Sequence, residues 1–267
     1  MPVAATFDAR DNQLLAALTP SERERWLPQL EPVELGAGQV LHEAGHPPRY
    51  ACFPLSAVVS LQLAMEDGRC DEVAVVGREG IVGSSLFLGS GSSVIRAVVQ
   101  NPGRAFRMSA ERIKAEWAAS TAVMELLLRY TLAQSAEVAQ GVVCSRHHTV
   151  EQRLCRRLLQ SLDGRQDSRL AMTQEQLSGW LGVRRESVTV EALKLQRAGV
   201  IRYSRGRITV LDRAGLEQRS CECFALVREE YRRLRMREPR LSPLFPAVLA
   251  DGPPEARSCP AAAGSAR

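Results

Sequence analysis

The residues best suited to chemistry in this sequence lie between Met172 and Leu211. Thr173 followed three residues on by Gln176 is a capping box, which starts a helix by giving its first amides side-chain partners. That helix is predicted over Gln174 to Leu181 and stops at Gly182. Val183 then fills the inside of a tight turn, and a second helix runs from about Arg184 to Arg197. Leu177, Leu181, Val183, Val188, Ala192 and Leu195 fall where two helices meeting at a steep angle share a core, the helix-turn-helix arrangement. The second helix exposes Arg184, Arg185, Glu186, Ser187, Thr189 and Val190 over its first turn and a half. Such groups match the edges of bases in a DNA major groove about 12 Å wide. Arginine can grip guanine O6 and N7, and a carboxylate can accept from cytosine N4.

Ala198-Gly199 ends this second helix. Val200 to Tyr203 and Arg207 to Leu211 read as short strands around Ser204-Arg205-Gly206, a wing with Arg202, Arg205 and Arg207 about its tip. Between Arg184 and Arg207 seven basic residues stand against two acidic ones. Over Thr149 to Arg219 the count is 14 against 8, whereas the rest of the chain holds 21 against 22. All the excess positive charge therefore sits in one segment, the footprint of a polyanion-binding module. Base reading is expected from Arg184, Arg185, Glu186, Ser187 and Thr189. Phosphates are expected at the amides of Thr173 and Gln174 and at the arginines of the wing.

The elements that position these residues follow from periodicity. A length of 267 residues suggests about two domains. A 45% hydrophobic share excludes a wholly disordered chain. No run approaches the roughly 18 apolar residues of a membrane span, and Met1 to Arg10 lacks the profile of a signal peptide. A cytoplasmic protein without a membrane partner is expected. Residues 1–120 read as short N-terminal helices followed by an antiparallel β-roll or jelly roll. Val59, Leu61 and Leu63 alternate with polar neighbours, Glu72 to Val76, Val94 to Gln100 and Arg104 to Met108 are similar, and turn signals recur between them. Ser109 caps a short helix. Residues 121–148 form a long helix with a hinge at Ser145 to His148. Met124, Leu128, Leu132, Ser135, Ala139 and Val142 make one stripe of that helix, and Val123, Leu127 and Tyr130 make another. Two such faces need two partners, the β-roll and a second copy of the chain. Residues 149–235 form the winged helix-turn-helix domain. They begin with a helix on which Val150, Leu154, Arg157, Leu158 and Leu162 are spaced along one side, followed by a polar loop at Asp163 to Asp167. The tail, 236–267, holds six of the 14 prolines from Glu238 onward and is expected to be disordered. The fold class is α+β.

Seven cysteines, an odd number in a chain without a secretory signal, argue against a disulfide framework. No Cys-x2-Cys pair occurs, and Cys221 and Cys223 are too close for a zinc knuckle. Buried free thiols and no metal site are the expectation. His42 and His46, with Glu43 between them, lack the His-x-His pair of a cupin and lie in a strand-and-turn region. His147 and His148 read as a helix-end feature. No nucleophile-base pair or phosphate loop appears, so the protein is expected not to be an enzyme. The alternatives kept open are a haem, metal or thiol redox sensor on the same scaffold and, behind it, a metalloenzyme built on the barrel.

The run Met172-Thr-Gln-Glu-Gln-Leu-Ser-Gly-Trp-Leu-Gly-Val-Arg-Arg-Glu-Ser-Val resembles the DNA-reading signature of the cyclic AMP receptor protein/fumarate-nitrate regulator (Crp/Fnr) superfamily of bacterial transcription regulators. Likeness extends over roughly Leu14 to Tyr231, in the family's order of cyclic-nucleotide-binding-like β-roll, long dimerisation helix and winged helix. The resemblance implies that Arg185 and Glu186 read bases, followed by the hydroxyl of Ser187. Where the best-known members carry another arginine, four residues after that glutamate, this chain has Val190, so its half-site is expected to differ. Cyclic-nucleotide-binding members hold the ribose with a Gly-Glu pair and the phosphate with a later Arg-Ser pair. The matching stretch here, Ile81-Val82-Gly83-Ser84-Ser85-Leu86, puts Ser84 in place of the glutamate. Val94 stands where the arginine is expected, and Arg96 fits only with a two-residue shift. A serine cannot make the charge-assisted bonds of a carboxylate. Cyclic AMP is therefore not expected, no cofactor is, and Gly83, Ser84, Ser85 and Arg96 remain as effector-site candidates. The cysteine cluster of the oxygen-sensing iron-sulfur members is absent, since no cysteine precedes Cys52. The implied partners are double-stranded DNA, a second protomer, an unidentified small molecule and, for an activator, RNA polymerase.

Overall fold

Alternation along the strands between residues 31 and 109 sends one set of side chains between two sheets and the other set outward. The computed structural model describes residues 7–233 apart from 67, 69, 90 and 163–167. The expected loop at Asp163 to Asp167 and the tail 236–267 thus lie outside the described residues. The elements are α1 (Gln13–Ala16), α2 (Pro20–Trp26), β1 (Glu31–Leu35), β2 (Val40–His42), β3 (Tyr50–Pro54), β4 (Val58–Ala64), β5 (Cys70–Val76), β6 (Ile95–Asn101), β7 (Gly103–Ser109), α3 (Ala110–Ala119), α4 (Thr121–His147), α5 (Val150–Leu162), β8 (Arg169–Ala171), α6 (Gln174–Leu181), α7 (Arg185–Arg197), β9 (Ile201–Ser204), β10 (Arg207–Val210), α8 (Arg213–Arg219) and α9 (Cys223–Arg233). The β-roll pairs a sheet ordered β1-β7-β3 with one ordered β2-β6-β4-β5, antiparallel throughout.

Cys52 and Ala105 point from the first sheet toward Val59, Leu61, Val76 and Val99 of the second. Their neighbours Ala51, Phe53, Phe106 and Met108 point the other way, into a core shared with the N-terminal helices, α3 and α4. A Thr19–Glu22 capping box opens α2, and the free oxygen of Glu22 accepts from Ser120, the N-cap of α4, at 2.8 Å. Val123, Leu127 and Tyr130 of α4 are fully buried in this core, and Tyr130 donates to the carbonyl of Ile81 at 3.1 Å. The opposite face of α4 is bare, with Leu132 67% exposed and Leu128, Val142 and Val143 close to half exposed.

The hinge lies later than expected. Ser145, Arg146 and His147 are helical, and only His148, the C-cap, is extended. The helix runs on to this cap because the amide of His148 donates to the carbonyl of Cys144 at 3.1 Å, while the hydroxyl of Ser145 donates back to the carbonyl of Val142 at 2.7 Å. Beyond it, α5 to α8 enclose a second core built from Leu154, Leu158, Leu177, Val188, Leu195 and Ile208. A strand that sequence periodicity did not register, β8, pairs with β10 to make the wing three-stranded. The last described helix joins the two halves: Phe224 of α9 belongs to the second core, and Val227 and Tyr231 belong to the first.

The outer face of the four-stranded sheet is polar and receives Arg157 from α5. Its guanidinium lies 2.9 Å from Glu72 and donates to Gln100 at 2.9 Å. Glu72 in turn accepts from Ser60 at 2.6 Å and Gln100 at 3.0 Å. Trp180 of α6 covers the other side of the guanidinium, 4.4 Å from its ring centroid. Both charged side chains are 7% exposed. For both, burial is the largest influence and opposes the charge, raising the carboxyl of Glu72 and lowering the guanidinium of Arg157. Removing one partner of such a pair costs about 3–5 kcal/mol, whereas replacing both with apolar side chains is often neutral. Glu72→Leu and Arg157→Met are each expected to destabilise the protein by about that amount. The double variant is expected to recover most of the loss in denaturant melts.

Glu137 of α4 is also buried. Its carboxyl accepts from Tyr231 of α9 at 2.7 Å and from Gln160 of α5 at 3.2 Å. Burial pushes it up to about 7; the bond from Tyr231 and the charges of Arg156 and Arg157 oppose this, and Glu79 adds to it. The folded chain therefore keeps a proton between its ordinary value of 4.5 and about 7 that the unfolded chain has lost. Relative to Glu137→Gln, which keeps an acceptor for Tyr231, wild-type stability is full below the ordinary value and declines as pH rises toward 7. Melts at pH 5 and pH 8 are expected to show most of that relative loss, roughly 2–3 kcal/mol.

Candidate nucleic-acid interface

The capping box forms as the sequence implies. Thr173 Oγ1 accepts from the amide of Gln176 at 3.2 Å, and Gln176 Oε1 accepts from the amide of Thr173 at 2.9 Å. This closure corrects one expectation: the amide of Thr173 is occupied within the box and is not free for a phosphate. Gly182, left-handed at φ 59°, ends α6. Arg153 of α5 donates to the carbonyl of Leu181, fixing that helix end.

Arg184 is the N-cap of α7, and its side chain, like those of Arg185 and Glu186, is exposed. Arg185 Nε donates to Gln174 Oε1 at 3.4 Å, so the two helices of the motif hold this side chain between them. Ser187 and Thr189 are half-buried. Thr189 donates to the carbonyl of Arg185 at 3.0 Å. Val188, Ala192 and Leu195 turn into the core. At 100° per residue the opposite side of α7 aligns Glu186, Val190, Leu193 and Arg197, and all four are exposed. Sequence reasoning passed over Leu193 and Arg197 as candidates. Val190 follows Glu186 by four, Leu193 follows Val190 by three and Arg197 follows Leu193 by four, the helical spacing that could have found them.

β9 and β10 pair Ser204 with Arg207 and Arg202 with Thr209, which gathers Arg202, Arg205 and Arg207 around one open groove on the wing. Ile201, Ile208 and Val210 face the core instead. The turn residues Arg205 and Gly206 both have positive φ, 48° and 73°, the geometry of a two-residue type I′ hairpin. Arg205 occupies a conformation that costs a non-glycine residue about 1–2 kcal/mol.

The effector candidates do not converge in the same way. Gly83, at φ 101°, precedes a single 3-10 turn over Ser84–Leu86 in which Ser85 is buried and Ser84 half-buried. Arg96, on β6, is committed to Glu43 in an ion pair at 2.8 Å.

Among the described residues Cys70 is exposed, contrary to the expectation of buried thiols, and the other cysteines divide into two kinds. Cys52 and Cys155 sit among apolar residues, and burial pushes each thiol up to about 12, as expected of inert core thiols. Cys144, Cys221 and Cys223 instead meet one another and His148. Cys144 Sγ and Cys221 Sγ are 3.6 Å apart, and this contact lowers the thiol of Cys144 and raises that of Cys221.

An antiparallel β-roll joined by one long helix to a basic winged helix defines a class, the two-domain DNA-binding regulators. Comparison with known proteins agrees. A cyclic nucleotide-binding domain model matches residues 32–119 and a Crp-like helix-turn-helix domain model matches residues 152–219. FixK2 from Bradyrhizobium japonicum superposes with a TM-score of 0.61 at 16% identity, over 72% of this chain and 98% of that one. TTHA1359, a CRP/FNR-family transcriptional regulator from Thermus thermophilus, gives 0.56 at 22% identity, over 70% and 97%. CLP from Xanthomonas campestris, a c-di-GMP-responsive global regulator, gives 0.55 at 18% identity, over 72% and 99%. At these identities the likeness concerns the fold. No curated protein sequence matches the chain. The two domain models together span more than half of the chain, which belongs to the Crp/Fnr superfamily of transcription regulators. Among the described residues no helix is long and apolar enough to cross a membrane.

Proposed function

We propose that the protein acts as a homodimer that reads a pseudo-palindromic DNA site, with α7 of each protomer in a major groove. The observation that carries this reading is the exposed first turn of α7 standing beside a wing with three arginines on one groove. Arg185 and Glu186 read bases, and Arg184, Ser187 and Thr189 border them. Val190 and Leu193 offer apolar contact to a thymine methyl, a readout that suits the major groove. Arg202, Arg205 and Arg207 neutralise phosphates, and Gln174 holds Arg185 in position. Dimerisation is supported by the bare stripe on α4, where Ser135 and Ala139 lie among the exposed Leu128, Leu132 and Val142 and permit close approach. Cyclic AMP is not the effector in this reading, because Ser84 offers no carboxylate to a ribose and Arg96 is already paired.

Selection of sites from a random DNA pool by the purified protein, without added ligand, tests the reading. A two-fold symmetric motif with half-sites about 34 Å apart is expected, unchanged by cyclic AMP; a motif without symmetry would overturn the dimeric reading. Arg185→Ala is expected to relax specificity at one base pair and to cost about 1–3 kcal/mol of binding. Arg205→Gly removes a charge while suiting the positive φ. It is expected to weaken binding to all sequences alike and to reduce the salt dependence by about one ion. A changed sequence preference for this variant would overturn the division of roles. Leu132→Glu is expected to yield monomers in sedimentation analysis and to lose affinity for the symmetric site while keeping a folded spectrum.

A further inference from the structure

Four side chains with no part in DNA reading converge where the long helix meets the DNA-binding domain. Cys144 lies in the last turn of α4 and His148 is its C-cap. Cys221 and Cys223 lie in the link from α8 into α9. Their ligand atoms all fall within 4.8 Å of one another, the one such group of three or more metal-ligating side chains among the described residues. Cys144 Sγ is 3.6 Å from Cys221 Sγ, and Cys223 Sγ is 3.4 Å from His148 Nδ1. A tetrahedral zinc ion with bonds of about 2.3 Å to sulfur and 2.0–2.1 Å to nitrogen sets S···S edges near 3.8 Å and S···N edges near 3.5 Å. The Cys144–Cys221 and Cys223–His148 distances match those edges, and the remaining donor pairs lie within 4.8 Å.

The surroundings fit a ligand set better than a packed core. The three sulfurs form a cluster of their own, separate from both domain cores, and each is under 5% exposed. His148 turns Nδ1 toward the sulfurs and Nε2 toward the Glu222 carboxylate, at 3.2 Å, the carboxylate–histidine arrangement that orients a metal-bound imidazole. Gln140 Nε2 donates to Cys223 Sγ at 2.9 Å. Three thiolates around a divalent ion leave one net negative charge, which the positive charge of Arg156, felt at Cys144, partly offsets. A disulfide between Cys144 and Cys221 would leave the third sulfur, the turned imidazole and its carboxylate without a purpose.

We propose that Cys144, His148, Cys221 and Cys223 bind one zinc-class divalent cation per protomer in a closed tetrahedral Cys3His site. With all four positions filled by the chain, the ion is structural rather than catalytic. It clamps the end of α4 and the hinge residue to the start of α9. Its effect on DNA binding rests on the reading proposed above; the site itself does not.

Cobalt(II) titrated into the reduced, chelator-stripped full chain tests the site. One equivalent per protomer is expected to produce thiolate charge-transfer bands and the intense visible bands of tetrahedral cobalt, and zinc(II) is expected to bleach them. Cys223→Ser and His148→Ala are expected to lose or shift those bands, and Cys70→Ser, at an exposed thiol far along the chain, to keep them. Glu222→Gln is expected to keep the spectrum while weakening affinity about 10- to 100-fold. Absence of tetrahedral bands in the wild-type chain, bands that survive Cys223→Ser and His148→Ala unchanged, or a Cys144–Cys221 disulfide under reducing conditions would overturn the proposal. A chain that enriches symmetric DNA but takes up no cobalt sinks the metal site alone. One that loads cobalt but enriches no DNA sinks the DNA reading alone.

Discussion

The buried pair between Arg157 and Glu72 sets the relation between the two halves of the molecule. Arg157 interrupts an otherwise apolar side of α5, the same helix that supplies Leu154 and Leu158 to the DNA-binding core. Its guanidinium crosses to the four-stranded sheet of the β-roll and is closed in by Gln100 and Trp180. Desolvation works against both charges, so the pair specifies geometry more than it stabilises. A carboxylate on β5 and hydrogen bonds from β4 and β6 admit a single placement of α5, and through α5 they orient the helix-turn-helix. An apolar contact of equal size would tolerate sliding, whereas a desolvated ion pair with every oxygen partnered does not.

Around that fixed point the reading surface is assembled from short-range devices. A capping box opens α6, a left-handed glycine closes it, and Gln174 reaches from α6 to Arg185 on α7. The wing is registered by cross-strand pairs that place its arginines on one face and its aliphatic residues on the other. None of these devices needs the β-roll, which explains why the surface is well formed in a chain whose effector candidates show no comparable convergence.

The same distinction decides what the sequence reveals. Helix starts, the turn at Gly182 and the wing strands are legible because each is written within a few consecutive residues. β8 escapes because three residues are too few to display a period. The hinge is expected too early because His147 and His148 look like an ending, although Ser145 bonds back into the helix. The Arg157–Glu72 pair and the gathering of Cys144, His148, Cys221 and Cys223 cannot be read locally, since their members come from distant parts of the chain. A trace of each is present all the same: an arginine on an apolar stripe, and two cysteines flanking an acidic residue. Assigning everything after the hinge to one domain also misses α9, whose Phe224 and Tyr231 enter different cores.

That last feature bears on how the protein is made. The first core contains Ala9 and Leu14 but also Val227 and Tyr231. During synthesis at about 5–20 residues per second, on the order of 5 to 20 s separate the appearance of Leu127 from that of Tyr231. Through that interval the β-roll and α4 wait with Tyr130 and Glu137 uncovered, while the winged helix, whose contacts are nearer in sequence, is free to fold first. Synthesis that halts before α9 would therefore leave both cores unfinished, the second short of Phe224 and the first short of Val227 and Tyr231.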